Sequence, residues 1–327
     1  MKTTENIIGS PSLVSVIMPV YNRAGYIAEA IDSVLSQDYP NQELIVVDDG
    51  STDETVEIIK SYGDQVRLLQ QKNLGPAAAR NAGISVAQGE YIAFLDSDDL
   101  WLPGKLTVQV AYLEAHPEVS LVHVDIFYWF RDSDGKFSMP VVPDPPVNPV
   151  DGTYEIELDE QESGWVYHRL LFDPVLSTIT ALLRRSLLDE VGLFDVSLKR
   201  GEDYDLWFRA SRVTPIHKLV FPGALYRHHS DNSAKKYPDD NYELYVIERA
   251  IQRWGMTGPD GSAADPKQVR RHLANLSFNF GYGHYWAQQP MVAFRSFMLS
   301  LQRYPLRAKT WVYLVASAIK FLIVKKH

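Results

Sequence analysis

Short apolar runs recur along the first third of the chain, each closed by a polar turn and followed by a helix-period stripe. Val14–Pro19 (VSVIMP) is rich in β-branched residues and predicts a buried strand. After a turn over Asn22–Gly25, Ile27, Ala30, Ile31, Val34 and Leu35 fall at helical spacing. Glu43–Val47 (ELIVV) predicts a second buried strand, stopped by Asp48-Asp49-Gly50-Ser51. Thr52 is then placed to cap a helix whose stripe is Val56, Ile59 and Tyr62. Val66–Leu69 predicts a third strand, followed by Gly75-Pro76 and an Ala-rich helix through Val86. Tyr91–Leu95 (YIAFL) predicts a fourth, ending in Asp96-Ser97-Asp98-Asp99. A further helix is expected from Pro103 to His116-Pro117. Buried runs separated by helical patterns of roughly 10–15 residues mean βαβ units, hence an α/β fold with a mostly parallel sheet.

Beyond this point the texture changes. Val119–Phe130 remains strand-like and is very aromatic (Phe127, Tyr128, Trp129, Phe130). Pro140, Pro143, Pro145, Pro146 and Pro149 predict a surface loop or lid over 131–153. Helical patterns resume at Arg184–Val191 and Asp203–Ala210, and from about Pro238 the chain reads as several short, basic helices. The expected organisation is a sheet-based domain over 1–237, split at about residue 115 into halves 12–115 and 116–237, and a helical region over 238–327. Its 327 residues, 46% hydrophobic, have room for about two such units.

Charge and cysteine content narrow the chemistry. No cysteine is present, which removes a thiolate nucleophile, a Cys-ligated zinc and a redox switch. The net charge of −9 argues against wholesale nucleic-acid binding. It is unevenly spread: from Asn241 onward 12 Lys and Arg face 4 Asp and Glu, a local +8, leaving −17 for the first 240 residues. The opening MKTTENIIGS has no apolar run of signal-peptide length, and no stretch reaches the roughly 18–20 apolar residues that span a bilayer. Trp311–Val324 is apolar except for Ser317 and Lys320, with Arg295, Arg303, Arg307 and Lys309 before it and Lys325-Lys326 after. Such a helix either lies on an anionic bilayer surface or packs on its own domain or a second subunit. The expected location is cytoplasmic, with peripheral contact on the inner face of a membrane.

In an open parallel sheet, ligands bind beyond the carboxyl ends of the strands. Three predicted strand ends carry polar clusters: Pro19-Val20-Tyr21-Asn22, Asp48-Asp49-Gly50-Ser51 and Asp96-Ser97-Asp98-Asp99. Turn formation alone accounts for one such cluster. Five carboxylates on one rim repel one another unless a cation or a donor-rich ligand joins them. Neither Gly-x-Gly-x-x-Gly after the first strand nor a P-loop is present. A strand followed by Asp-x-Asp, here Asp96 and Asp98, can instead hold a hard divalent cation that neutralises a diphosphate.

These segments, with Asn73-Leu74-Gly75-Pro76-Ala77-Ala78-Ala79-Arg80-Asn81 between them, resemble glycosyltransferase family 2 in order and spacing. The close motifs cover about residues 14–115, with looser matches to about 233. The resemblance implies a GT-A fold, a Rossmann-like sheet flanked by helices, binding a nucleotide-sugar donor. It places Pro19, Tyr21 and Asp49 around the base and ribose with Arg80 nearby, Asp96 on the ribose, and Asp98 on a Mg²⁺ or Mn²⁺ bridging the diphosphate. Gly201-Glu202-Asp203 resembles the family's later acidic block, where a carboxylate deprotonates the acceptor hydroxyl; Asp203 is the first choice and Glu202 the second. Tyr226-Arg227-His228-His229 resembles a Tyr-Arg-x-His stretch in which His229 would complete the metal shell and Arg227 would meet the diphosphate.

The expected activity is inverting, metal-dependent transfer of one sugar, from a UDP-sugar in preference to other donors. The expected acceptor is a glycan or lipid-linked saccharide of the cell envelope. Gln252-Arg253-Trp254 lacks the gap of the processive Gln-x-x-Arg-Trp motif, which favours single transfer. Two other readings compete. Nucleotidyl transfer would want a Gly-rich basic loop that Val20-Tyr21-Asn22-Arg23 does not supply, and a non-catalytic scaffold would not need every acidic position filled.

Overall fold

Every residue of β1 (Val14–Val20) is buried, which requires a strand on each edge and cover on both faces. The computed structural model, which describes residues 11–142, 156–229, 238 and 240–324, supplies both. Parallel to β1 lie β2 (Gln42–Asp48) on one side and β4 (Tyr91–Phe94) on the other, with β3 (Arg67–Gln70) outside β2. The sheet continues through β7 (Leu182–Arg184), β6 (Leu121–Trp129), β8 (Ile216–Arg227) and β5 (Leu100–Trp101), in the order β3-β2-β1-β4-β7-β6-β8-β5. Beyond β4 the sheet is mixed: β7 is antiparallel to both neighbours, β6 and β8 are parallel, and β5 is antiparallel to β8.

The helical stripes dock as their spacing requires. Helix α1 (Ile27–Leu35) buries Ile27, Ala30, Ile31 and Val34. Helix α2 (Thr55–Lys60) starts later than its expected cap, because the Thr52 N–H bonds to Asn22 Oδ1 and Asp53 Oδ1 accepts from Thr55 N instead. Helix α3 (Pro76–Val86) crosses the sheet so closely that a Cβ at Gly83 would collide with Ile17. Helix α4 (Lys105–Ala115) begins after Pro103, since Gly104 at φ 82° still belongs to the turn. Strands β5, β7 and β8 have no counterpart in the sequence reading. β5 and β7 are two and three residues long, and β8 carries Pro222-Gly223 where its ladder with β6 slips register. Between β6 and β7 lies the short helix α5 (Tyr167–Leu170). Of the expected loop 131–153, residues 131–142 form no helix or strand, and the rest lies outside the described residues.

Lys105 is fully buried on α4, its Nζ donating to Gln109 Oε1 at 2.8 Å and lying 4.1 Å from the Trp101 ring centroid. Burial pushes its ammonium well below the ordinary lysine range. As pH falls from about 10.5, the unfolded chain takes up this proton before the folded one, so folding stability is lost as pH falls toward the folded value. Lys105→Met should therefore raise stability at pH 7 by about 1–2 kcal/mol. It should also flatten the wild-type rise in stability between pH 7 and 9.5, which urea unfolding across that range would measure.

By its packing the chain divides into two units, Met1–Val166 with Pro174–His229 and Tyr167–Asp173 with Ser230–His327. The first holds the sheet, α6 (Arg185–Val191) and α7 (Glu202–Ala210). The second holds α5, α8 (Tyr242–Trp254), α9 (Pro266–Trp286), α10 (Pro290–Arg303) and α11 (Ala308–Val324). Asn241 and Asp265 cap α8 and α9 with their side chains, and Phe278, Ala293, Phe297, Leu301 and Leu314 form the core of α9–α11. No helix among the described residues is long and apolar enough to cross a membrane.

Candidate functional site

Because β1, β2 and β4 are parallel neighbours, their carboxyl ends open on one rim, and the three polar clusters meet there. Pro19 is buried within β1, while Tyr21 just beyond it is 44% exposed. Asn22 takes a positive φ of 50°, an uncommon conformation for a residue with a side chain. Its N–H donates to Ser51 Oγ at 2.9 Å and its Oδ1 accepts from Thr52 N at 2.8 Å, tying the β1 loop to the β2 loop. Arg23 N and Ala24 N extend the tie to Thr55 Oγ1 and Asp53 Oδ2.

The acidic residues of the β2 loop build the rim. Asp48 Oδ1 accepts from Ser51 N at 3.0 Å. Asp49 is buried, with Oδ1 accepting from Gln71 Nε2 (2.7 Å) and Leu74 N (2.9 Å) and Oδ2 from Gly75 N (2.8 Å). Both of its oxygens are engaged by the chain, so this carboxylate fixes the loop leading into α3.

Arg80 on α3 is buried and bridges two acids from distant segments. One terminal nitrogen donates to Asp96 Oδ1 at 2.8 Å and the other to Glu202 Oε1 at 2.7 Å, and the guanidinium lies 5.4 Å from the Phe194 ring centroid. Burial opposes its charge, but Asp96, Glu202 and Asp203 outweigh that and push its pKa above the ordinary value. Burial lifts the Glu202 carboxyl above the usual range, with Arg80 opposing and Asp203 adding to the rise. Asp203, next on α7, points elsewhere: its Oδ2 accepts from Thr178 Oγ1 at 2.9 Å.

Asp98 and Asp99 face different partners. Asp98 Oδ2 lies 3.0 Å from both Arg23 Nε and His229 Nε2, and the His229 ring stacks on Tyr26 at 4.6 Å. Asp99 Oδ1 accepts from Arg227 N at 2.8 Å, while its buried Oδ2 has no hydrogen-bond partner among the described residues. Burial, reinforced by the Asp98 and Asp96 charges, raises Asp99 well above the usual carboxylate range. Arg227 is itself buried against Tyr26, Trp129 and Phe137, donating through Nε to the Asp98 carbonyl at 2.9 Å and pairing with Glu29. The indole N–H of Trp129 in turn donates to Ser138 O, anchoring residues 131–142 over this arginine.

The structure thus brings Arg80, Asp96 and Glu202 into one ion-pair network and Asp98 and His229 into another contact. Arg23, Glu29 and Tyr26 were not singled out as site residues; Arg23 lies 75 positions from Asp98, and no sequence spacing signals that contact.

A divalent cation can be tested against the donor set. Among the described residues no group of three or more His, Asp or Glu gathers at one point. Asp98 Oδ2 and His229 Nε2 are nevertheless 3.0 Å apart, the separation of adjacent octahedral ligands at about 2.1 Å from a Mg²⁺-sized ion. A carboxylate and an imidazole are donors a divalent cation accepts, and Arg23 Nε lies equally close to the same Asp98 oxygen.

The family model for glycosyl transferase family 2 matches residues 15–192, over half the chain and including β1 through α6. The chain belongs to this family. Among its relatives, an uncharacterized glycosyltransferase of Rickettsia prowazekii is 34% identical over 239 residues, covering 71% of this transferase and 70% of that protein. A Rickettsia conorii relative, also an uncharacterized glycosyltransferase, is 36% identical over 240 residues, but the match spans 72% of this chain and only 37% of that longer protein. Among solved structures, S. aureus TarS 1-349 in complex with UDP-GlcNAc aligns with a TM-score of 0.62 at 21% identity, covering 94% of this chain and 87% of that one. Mannosyltransferase PcManGT from Pyrobaculum calidifontis, in complex with GDP-Man and Mn²⁺, aligns with a TM-score of 0.56 at 21% identity over 94% and 86%. The glycosyltransferase thus has the GT-A-type fold that the resemblance implied, with helices following the sheet in the chain.

Proposed function

We propose that this glycosyltransferase moves a single sugar from a nucleotide-diphosphate sugar, UDP-linked in preference to GDP-linked, to a glycan or lipid-linked saccharide of the cell envelope. The observation that carries the reading is the division of labour across Asp96-Ser97-Asp98. One carboxylate is braced by Arg80, and the other meets His229 at the same rim, leaving the two acids of the motif in different company. The UDP-GlcNAc complex of TarS and the GDP-Man complex of PcManGT support a nucleotide-sugar donor.

In this reading Tyr21, exposed at the end of β1, offers a face for the base, and Pro19 and Asp49 shape the wall and floor beside it. Asp96 keeps one carboxylate oxygen for a ribose hydroxyl while Arg80 holds the other. Asp98 and His229 would hold Mg²⁺ or Mn²⁺, which would supply charge neutralisation for the departing diphosphate. Arg227, committed to Asp98 O and Glu29, positions the Asp98-Asp99 turn. Asp203 accepts the proton of the acceptor hydroxyl as that oxygen bonds to the anomeric carbon and the carbon–phosphate oxygen bond breaks, inverting the centre. Its neighbour Glu202 is tied to Arg80, which favours Asp203 for this role.

Calorimetric titration of UDP and of GDP, each with and without Mn²⁺, tests the donor side on wild type and Asp98→Asn. UDP binding that needs both Mn²⁺ and Asp98 is expected. Failure of both nucleotides to bind under any metal, or equal binding of UDP without metal, would overturn the reading.

A further inference from the structure

The α11 helix presents an apolar face that nothing among the described residues covers. Trp311, Val312, Val315, Ile319 and Leu322 are each 51–66% exposed. At about 100° per residue these five fall within an arc of roughly 100°. Thr310, Leu314 and Ser317 on the opposite side are buried, so the helix is docked by one stripe and bare on the other. Leu306, 84% exposed, stands at its entrance.

The surrounding charge says what suits this face. Residues 266–327, which include α9, α10 and α11, contain ten Lys and Arg and no Asp or Glu. Arg307 and Lys309 lie at the start of α11, and Lys320 folds back so that its Nζ donates to Tyr285 O at 2.9 Å, leaving the exposed stripe apolar. A second copy of the chain would bring two strongly cationic surfaces together. An anionic bilayer instead offers hydrocarbon to the stripe and phosphate to the cations. The tryptophan adds an amphipathic ring of the kind that settles at headgroup level.

We propose that α11 lies in the plane of an anionic membrane surface, its Trp311–Leu322 stripe entering the headgroup–acyl boundary. This does not depend on the donor chemistry proposed above.

The test is co-sedimentation of the full 327-residue chain with vesicles of phosphatidylcholine alone or mixed with phosphatidylglycerol, at low and high salt. Wild type is expected to bind the phosphatidylglycerol vesicles and to be weakened by salt. The double variant Val315→Glu/Ile319→Glu should lose about tenfold or more in partitioning, while Val196→Glu, an exposed position on the first unit, should bind as wild type does. Unchanged thermal unfolding and UDP titration of the double variant would separate this result from misfolding and from failure of the donor reading. The proposal falls if wild type ignores phosphatidylglycerol, or if the double variant partitions equally well. It falls too if sedimentation velocity shows a dimer that the double variant dissolves.

Discussion

Replacing Arg80 with Met is expected to destabilise the fold by about 3–5 kcal/mol, the range for breaking a buried ion pair from one side. The side chain joins Asp96 on the rim to Glu202 on α7, and Glu202 is nearly as buried as the arginine. Without the guanidinium, Glu202 would be left as a buried carboxylate beside Asp203 with no cation opposing its already raised pKa. The sign of the pH dependence follows. A carboxyl raised in the folded state contributes stability below its unfolded pKa and loses it as pH rises through the folded one. The Arg80→Met deficit should therefore be smaller at pH 5 than at pH 8 in urea unfolding. The double variant Arg80→Met/Glu202→Gln should recover part of it, since the uncompensated charge is gone. A deficit independent of pH and of Glu202 would show that the cost is lost packing against Phe194.

The second large effect is on catalysis. Asp203→Asn keeps the shape of the side chain and an oxygen for Thr178 Oγ1, but removes its basicity. Transfer, followed as nucleoside diphosphate released with a glycan acceptor, is expected to fall about 10²–10⁴-fold in kcat. UDP affinity should be unchanged. Glu202→Gln is the contrasting variant, because it disturbs Arg80 and should act chiefly through stability. A kcat for Asp203→Asn within threefold of wild type would move the base elsewhere.

Much of the first 115 residues was legible, for a physical reason. The three central parallel strands are buried over most of their length, so β1, β2 and β4 appear as nearly unbroken apolar runs, and the stripes of α1 and α3 fall between them. The mixed half was not. β7 is too short to show a pattern, and β8 mixes His217, Lys218 and Pro222 into a strand that only its partner β6 explains. The acidic clusters were readable as chemistry because the sequence concentrates them at strand ends. Which oxygen goes to whom was not, since Asp49 is satisfied by the backbone of Leu74 and Gly75, and Asp96 by an arginine that could equally have sat on a helix surface.

Asp99 and the backbone N–H it accepts from, that of Arg227, are 128 positions apart. During synthesis the acidic turn therefore leaves the ribosome well before the strand that completes it. At about 5–20 residues per second that interval is roughly 6–26 s. Throughout it the nascent first half carries Asp96, Asp98 and Asp99 with neither Arg227 nor His229 made, held by Arg80 and Arg23 alone among the cations they finally meet. The acidic rim is thus among the last parts of this unit to be completed, and an early-terminated chain would carry the family's motifs without the contacts from Arg227 and His229.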